Sequence, residues 1–272
     1  SRGDRPAIRA RVRLDFRICR QGSMTYTIGL ATTFHDPAIA IIGPDGAGKT
    51  TTAHYLCSVI ANSQYAYLGL GSGALGLKIR QLPWIGAMLE RHLSAKASRA
   101  RTPGERIPGP VTAAVIYLFG RLRWRRFLHM LHVRESGRLV ICDRYPQAQI
   151  AGLNDGPGLS AAHATGWLTA LLARRERDLY IEMAQIPPTL VIRLNVDAHT
   201  AWARKPDHDL ALIERKVAAT AALTFPGARV VEVDAGLPQA QVHAICRQLI
   251  ETLVSETPGF SSSLEPQVTR VE

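Results

Sequence analysis

A three-layer α/β/α fold, one parallel sheet between two layers of helices, is predicted by three observations. Five short and mostly apolar runs recur along the chain, at 38–43, 65–70, 138–143, 189–195 and 229–234. The segments between them are far longer than hairpin turns, and several repeat apolar residues at helical spacing. The first run ends in a glycine-rich turn that leads directly into one of these helices. Parallel neighbours need such long crossovers, and strands covered on both faces read as continuous apolar runs.

Each element follows in order. Residues 1–23 carry seven arginines and two aspartates with little apolar periodicity, so a flexible basic N-terminal arm is expected. Residues 24–256 are expected to form the folded domain. Its first strand, 38–43, contains AIAII, and TAHYLCSVIANS supplies the helix after the turn. Beyond the strand at 65–70, the stretch 71–136 reads as mainly helical, interrupted by RTPGERIPGP and with an apolar part at 110–133. Strands at 138–143, 189–195 and 229–234 follow, and QAQVHAICRQLIETLV closes the domain as an amphipathic helix. Residues 257–272, with PGFSSSLEPQ, are expected to be a flexible tail.

Composition narrows the function. The net charge is +11 over 272 residues, and only five of the 33 basic residues are lysine. Guanidinium favours phosphate and carboxylate partners, because it offers a planar fork of donors. The basic segments RARVR and RLRWRR lack aromatic platforms or a nucleic-acid module, so most arginines are expected on solvated surface and no nucleic acid as partner. No apolar run reaches the ~18 residues a membrane span needs. Cys19, Cys57, Cys142 and Cys246 are scattered without a CxxC pair, which fits a cytoplasmic location and argues against a zinc site. His129 and His132, three apart in FLHMLHV, are expected to pack within a helix.

The turn at 43–50 spells GPDGAGKT and satisfies GxxxxGK[ST], between a strand and a helix as that motif requires. Its glycines let backbone amides converge on an anion, and the helix beginning near Lys49 adds the positive end of its dipole. Lys49 can reach the outer phosphates of a nucleotide, and the Thr50 hydroxyl can ligate Mg²⁺. Further on, GRLVICDRYPQAQ places Asp143 at the end of a strand, where ligands of an open parallel sheet bind. There Asp143 can serve the metal or accept a substrate proton, and Arg144 can grip a second anion. A cap with an ion pair is the bland alternative. A third segment, RLNVDAHTAWARKPDHDLALIERK, carries Trp202, Arg204, the polar run 205–209, Arg215 and Lys216, which suits a mobile cationic flap over a transferred phosphoryl group. A solvated helix–loop–helix is the competing view.

On GPDGAGKTTT, CDRY, the segment bearing Arg204 and the closing VVEVDAG, the chain resembles the thymidylate kinases and their P-loop relatives among nucleoside monophosphate kinases, from about residue 39 to 254. The resemblance implies a P-loop NTPase fold with five parallel strands and a helical lid, ATP as phosphate donor, Mg²⁺, and a homodimer for which the apolar stretch 110–133 offers a surface. It implies that Gly43, Asp45, Gly46, Ala47, Gly48, Lys49, Thr50 and Thr51 hold the donor. Asp45 would face the acceptor, Arg144 would contact acceptor phosphate, and Arg204 would close from the lid. Thymidylate kinases usually carry an REPGGT-like segment where this chain has YLGLGSGALG, and a different sequence after DRY from PQAQIAGLNDGPG. Both departures fall on the acceptor site. The expected activity is therefore ATP-dependent phosphoryl transfer to a small acceptor, either a nucleoside monophosphate or another metabolite. The rival is a nucleotide-binding regulatory or scaffold protein with little or no kinase activity.

Overall fold

A computed structural model of the chain describes residues 14–18, 24–28, 37–70, 105–107 and 109–257. Strands β1 (Leu14–Ile18) and β2 (Met24–Ile28) form a separate antiparallel pair. Apart from β1, the expected arm lies outside the described residues, as do 71–104 and all of the expected tail but Thr257. The domain is built on β3 (Ala38–Ile42), β4 (Ser63–Tyr67), β5 (Leu139–Asp143), β6 (Leu190–Asn195) and β7 (Arg229–Asp234). These five form one all-parallel sheet in the order β4-β5-β3-β6-β7.

Helices lie on both faces, and the strands sort their side chains between them with a period of two. Ile39 and Ile41 of β3 join Leu56 of α1 (Lys49–Val59) and Val242 and Ile250 of α6 (Gln239–Glu256). Ala40 and Ile42 join Phe127 and Met130 of α2 (Pro110–Glu135), and Tyr180 and Met183 of α3 (Trp167–Ala184). Every residue of β3 and β5 is buried, which is why AIAII and LVICD carry no polar alternation. Among the described residues, no helix is long and apolar enough to cross a membrane.

The structure shifts two expectations. The strand expected at 65–70 lies at Ser63–Tyr67, because β4 is an edge strand and its polar start, Ser63 and Gln64, pairs with Leu139 and Val140. The apolar residues that follow leave the ladder after the Leu68 amide bonds the Asp143 carbonyl at 2.9 Å. His129 and His132 do not pack: both sit on the exposed side of α2, with the His132 side chain 82% exposed.

RLRWRR also holds an exception to solvated arginine. Arg123 is completely buried on α2. Its Nε donates to the Leu68 carbonyl (2.5 Å), Nη1 to the Asp155 carbonyl (2.7 Å) and the Tyr180 hydroxyl (3.1 Å), and Nη2 meets Asp155 Oδ1 at 2.6 Å. A buried guanidinium is tolerable only when its donors are filled in this way. The bond to Asp155 pins the loop after β5. Buried Gln147 wires the same loop internally, donating to the Ile150 and Leu153 carbonyls and accepting from the Gln149 and Ile150 amides. Arg144 therefore starts from a fixed loop.

Candidate functional site

The glycine turn joins β3 to α1 at the centre of the sheet. Gly46 (φ +85°) and Gly48 (φ +83°) occupy left-handed backbone, which costs other residues about 1–2 kcal/mol. At Gly46 a Cβ would also come within 2.5 Å of the Ala201 carbonyl oxygen, on α4 (Ala198–Arg204), so the turn is packed tightly from behind. Gly48 caps α1 without a side-chain bond, and no acidic residue stands in the helix's first turn. The first amides of α1 and its positive dipole end are thus left for an anion.

Lys49 is 6% exposed, and its Nζ donates to the Gly43 and Pro44 carbonyls, both at 2.8 Å. Burial, and next the Arg144 charge, bring its ammonium down to about 8, against the pull of Asp45, Asp155 and Asp143. Thr50 Oγ1 donates to Asp143 Oδ2 at 2.7 Å, and the Tyr65 hydroxyl donates to the same oxygen at 3.2 Å. Asp143 is fully buried, and among the described residues no group bonds its Oδ1. A buried carboxylate oxygen without a donor calls for a cation or a proton.

Asp45 of the same loop gathers four nitrogen-bearing side chains. Lys216 of α5 (Leu210–Ala222) contacts its carboxylate, Arg144 Nη2 lies at 3.7 Å, Lys49 Nζ at 4.0 Å and His208 Nδ1 at 3.8 Å. Burial alone would raise the Asp45 carboxyl, but Lys216, Lys49 and Arg144 together hold it well below the usual range. Arg144 itself takes a left-handed backbone (φ +66°), and a Cβ at Gly69 would fall 2.5 Å from its Cδ. The glycine of YLGLGS is therefore what leaves room for this arginine.

Asp197 caps α4 by accepting from the Thr200 amide at 2.9 Å, and Arg204 ends the helix. Arg204 Nη1 donates to the Gly46 carbonyl (3.3 Å) and the Ala235 carbonyl (2.9 Å), so it ties the glycine turn to the loop after β7. One cavity of about 400 Å³ runs beside these parts, lined by 45–52, Arg144 and Arg204 and running to Leu237 and the first turns of α6. A cavity of about 330 Å³ between β4 and α2 shares no residue with the turn.

The sequence-predicted residues thus meet at one place. Asp45, Gly46, Ala47, Gly48, Lys49, Thr50, Thr51, Arg144 and Arg204 line the cavity, while Gly43 and Asp143 join it through Lys49 and Thr50. Tyr65, Gln239 and His243 were not among them, and Lys216 was read only as one cation of the flap. Lys216 had a signal in its helical phase: it follows buried Ile213 by three and precedes buried Thr220 by four, whereas Arg215 faces out.

A GxxxxGK[ST] turn between the central strand and a helix of an all-parallel sheet makes this a P-loop NTPase fold. No family model matches the chain. The uncharacterized ATP-binding protein YghR of Escherichia coli is 39% identical over 208 residues, covering 75% of this chain and 82% of its own length. YghS of the same organism, also named an uncharacterized ATP-binding protein, is 43% identical over 209 residues, covering 75% and 88%. The chain belongs to the family of YghR and YghS. A thymidylate kinase of Thermomicrobium roseum is 30% identical over 172 residues, covering 61% of this chain and 66% of its own. The resemblance read from the motifs is borne out at that distance. Among solved structures, thymidylate kinase from Candida albicans aligns over 80% of this chain and 92% of its own, at 23% identity and a TM-score of 0.47. That from Ehrlichia chaffeensis aligns over 79% and 98%, at 17% identity and a TM-score of 0.43. Neither likeness adds to what the sheet order already shows.

Proposed function

We propose that this protein binds ATP and transfers its γ-phosphoryl group to a small acceptor held beside Arg144. The observation that carries this reading is the pairing of two charged sites across one turn. Thr50 bonds Asp143, which keeps an unfilled oxygen; Asp45 is met by Arg144 and Lys216. Simple retention of a nucleotide needs only the first. The ATP-binding names of YghR and YghS support the donor, and the kinase named in T. roseum supports the reaction class.

The residues present fit a magnesium ion, since the Thr50 hydroxyl and the unfilled Asp143 oxygen are hard oxygen ligands. When bound, magnesium would offset the charge of the outer phosphates. The chain supplies the rest. The amides of the turn hold the polyphosphate, and Lys49 leaves the Gly43 and Pro44 carbonyls for its outer oxygens. Arg144 holds an anionic group of the acceptor. An acceptor oxygen then forms a bond to the γ-phosphorus as the bond from that phosphorus to the bridging oxygen breaks and ADP leaves; where the acceptor is a hydroxyl, its proton passes to solvent. Asp45, kept ionised by its cations, cannot donate a proton and serves to hold Arg144 and Lys216 in place. Arg204 and the segment after it cover the turn and exclude water.

The test is ADP release measured with magnesium against a panel of nucleoside monophosphates, sugars and sugar phosphates. At least one acceptor should stimulate release, and Lys49→Ala should lower that rate by about a hundredfold or more at an unchanged melting temperature. Indifference to every acceptor while ATP is bound would instead assign the regulatory, nucleotide-binding role.

A further inference from the structure

Given the proposed binding of ATP with magnesium at the glycine turn, on which this step rests, we infer that Tyr65 is a positioning residue for the metal carboxylate. Its hydroxyl, beside that of Thr50, fixes the plane of Asp143 and so raises the affinity for ATP with magnesium over that for ATP alone.

Tyr65 stands on β4 opposite Ile141 of β5, so Asp143 lies two positions along the neighbouring strand and on the same face. A side chain so displaced is beyond the reach of a serine and within that of an aromatic. The Tyr65 hydroxyl donates to Asp143 Oδ2 at 3.2 Å, and Thr50 Oγ1 of α1 donates to the same oxygen at 2.7 Å. The phenol ring is steadied in turn by His54, whose imidazole stacks on it at 4.1 Å between centroids and 25° between planes. His54 follows Thr50 by four on α1. One helix face therefore supplies both the second hydroxyl and the ring that braces the first.

Two donors on one oxygen decide what the other oxygen can do. The last torsion of an aspartate has broad preferences, so a carboxylate held by one hydroxyl can still turn. Donors from a helix and from a strand together close that rotation. Each carboxylate oxygen has two lone pairs, and both of those on Oδ2 are taken. Among the described residues no group bonds Oδ1, although Asp143 is completely buried. The unfilled oxygen is thus kept at a fixed place next to Thr50, which lines the cavity. The Thr50 proton is directed at Oδ2, so its lone pairs are turned away from Asp143. A hard cation needs oxygens in a set geometry, and the two hydroxyls set it. Packing alone would not require the Tyr65 oxygen: a phenylalanine keeps the ring stack and the contacts with the apolar cluster around Leu56 and Ile141.

Calorimetric titration of ATP into the full chain, in excess magnesium and in EDTA, gives two affinities whose ratio is the gain due to the metal. Tyr65→Phe should lower that gain about tenfold while leaving the affinity in EDTA within about twofold of wild type. Asp143→Asn should lose most of the gain by itself, and adding Tyr65→Phe to it should change nothing further, because the phenol acts through the carboxylate. A gain in Tyr65→Phe within about twofold of wild type would overturn the inference and leave the phosphate reading standing. Equal losses in magnesium and in EDTA would also overturn it, since they assign Tyr65 a structural part only. So would a tenfold loss that persists in the Asp143→Asn background. Wild-type binding that ignores magnesium would overturn both the inference and the metal's place in the proposed reaction, and binding of no ATP in either condition would overturn the phosphate reading with them.

Discussion

Lys49 carries the sharpest residue-scale consequence. Its ammonium is buried against the Gly43 and Pro44 carbonyls and loses its proton at about pH 8, below its ordinary value. A polyphosphate favours the protonated form, so binding takes up a proton wherever the free protein has lost it. Nucleotide affinity is therefore at its full value below pH 8 and falls as pH rises through it, by up to about tenfold per unit. Titrations at pH 7, 8 and 9 in buffers of different ionisation enthalpy should show both the decline and the growing proton uptake. A constant affinity from pH 7 to 9.5 contradicts the placement of Lys49. This residue was legible from the eight contiguous positions 43–50, because the motif encodes its own geometry. Lys216 was less so: the segment 205–216 shows many cations, and only the packing of α5 decides that Lys216, not Arg215, turns toward Asp45.

At the scale of elements, the loop after β5 is the part the site depends on. Arg144 and its neighbours are held because Asp155 binds the buried Arg123 and because the Asn154 amide donates to the Lys216 carbonyl (2.8 Å) and Thr220 Oγ1 (3.0 Å). One loop thus positions cations from β5 and α5 around Asp45. Asp155→Ala removes the carboxylate facing a fully buried guanidinium and should cost about 3 kcal/mol or more. Asp155→Asn keeps an oxygen acceptor and tolerates the left-handed backbone (φ +65°), so it should cost less. Urea unfolding midpoints at constant slope measure both; a loss under about 1 kcal/mol for the alanine variant contradicts the role given to the pair. None of this was visible in RLRWRR or in GLNDGPG. Charge in a basic run reads as solvated surface, and only the crossing of α2 over Leu68 and Asp155 buries one arginine of several.

For the whole molecule, strand order does most of the work. The turn follows β3, Asp143 and Arg144 end β5, α4 follows β6, and the Ala235 loop follows β7, so every part lies beyond the carboxyl ends of parallel strands. Most of the five strands were legible because buried parallel strands are unbroken apolar runs; the one displaced strand is β4, whose polar start at Ser63 and Gln64 hides it from that rule. The far end of the cavity was not legible. Gln239 and His243 become neighbours of the turn only once α6 packs on α1, a contact nearly 200 residues apart in sequence that leaves no local signature. The central claim is that the amides of 43–51 with Lys49 capture a polyphosphate. Calorimetric titration of ATP into the folded full chain, with and without magnesium and beside Lys49→Ala, tests it most directly. One-site, magnesium-dependent uptake that weakens about tenfold or more in the variant is the predicted result. No heat from either ATP or GTP, or an unaffected variant, would contradict it.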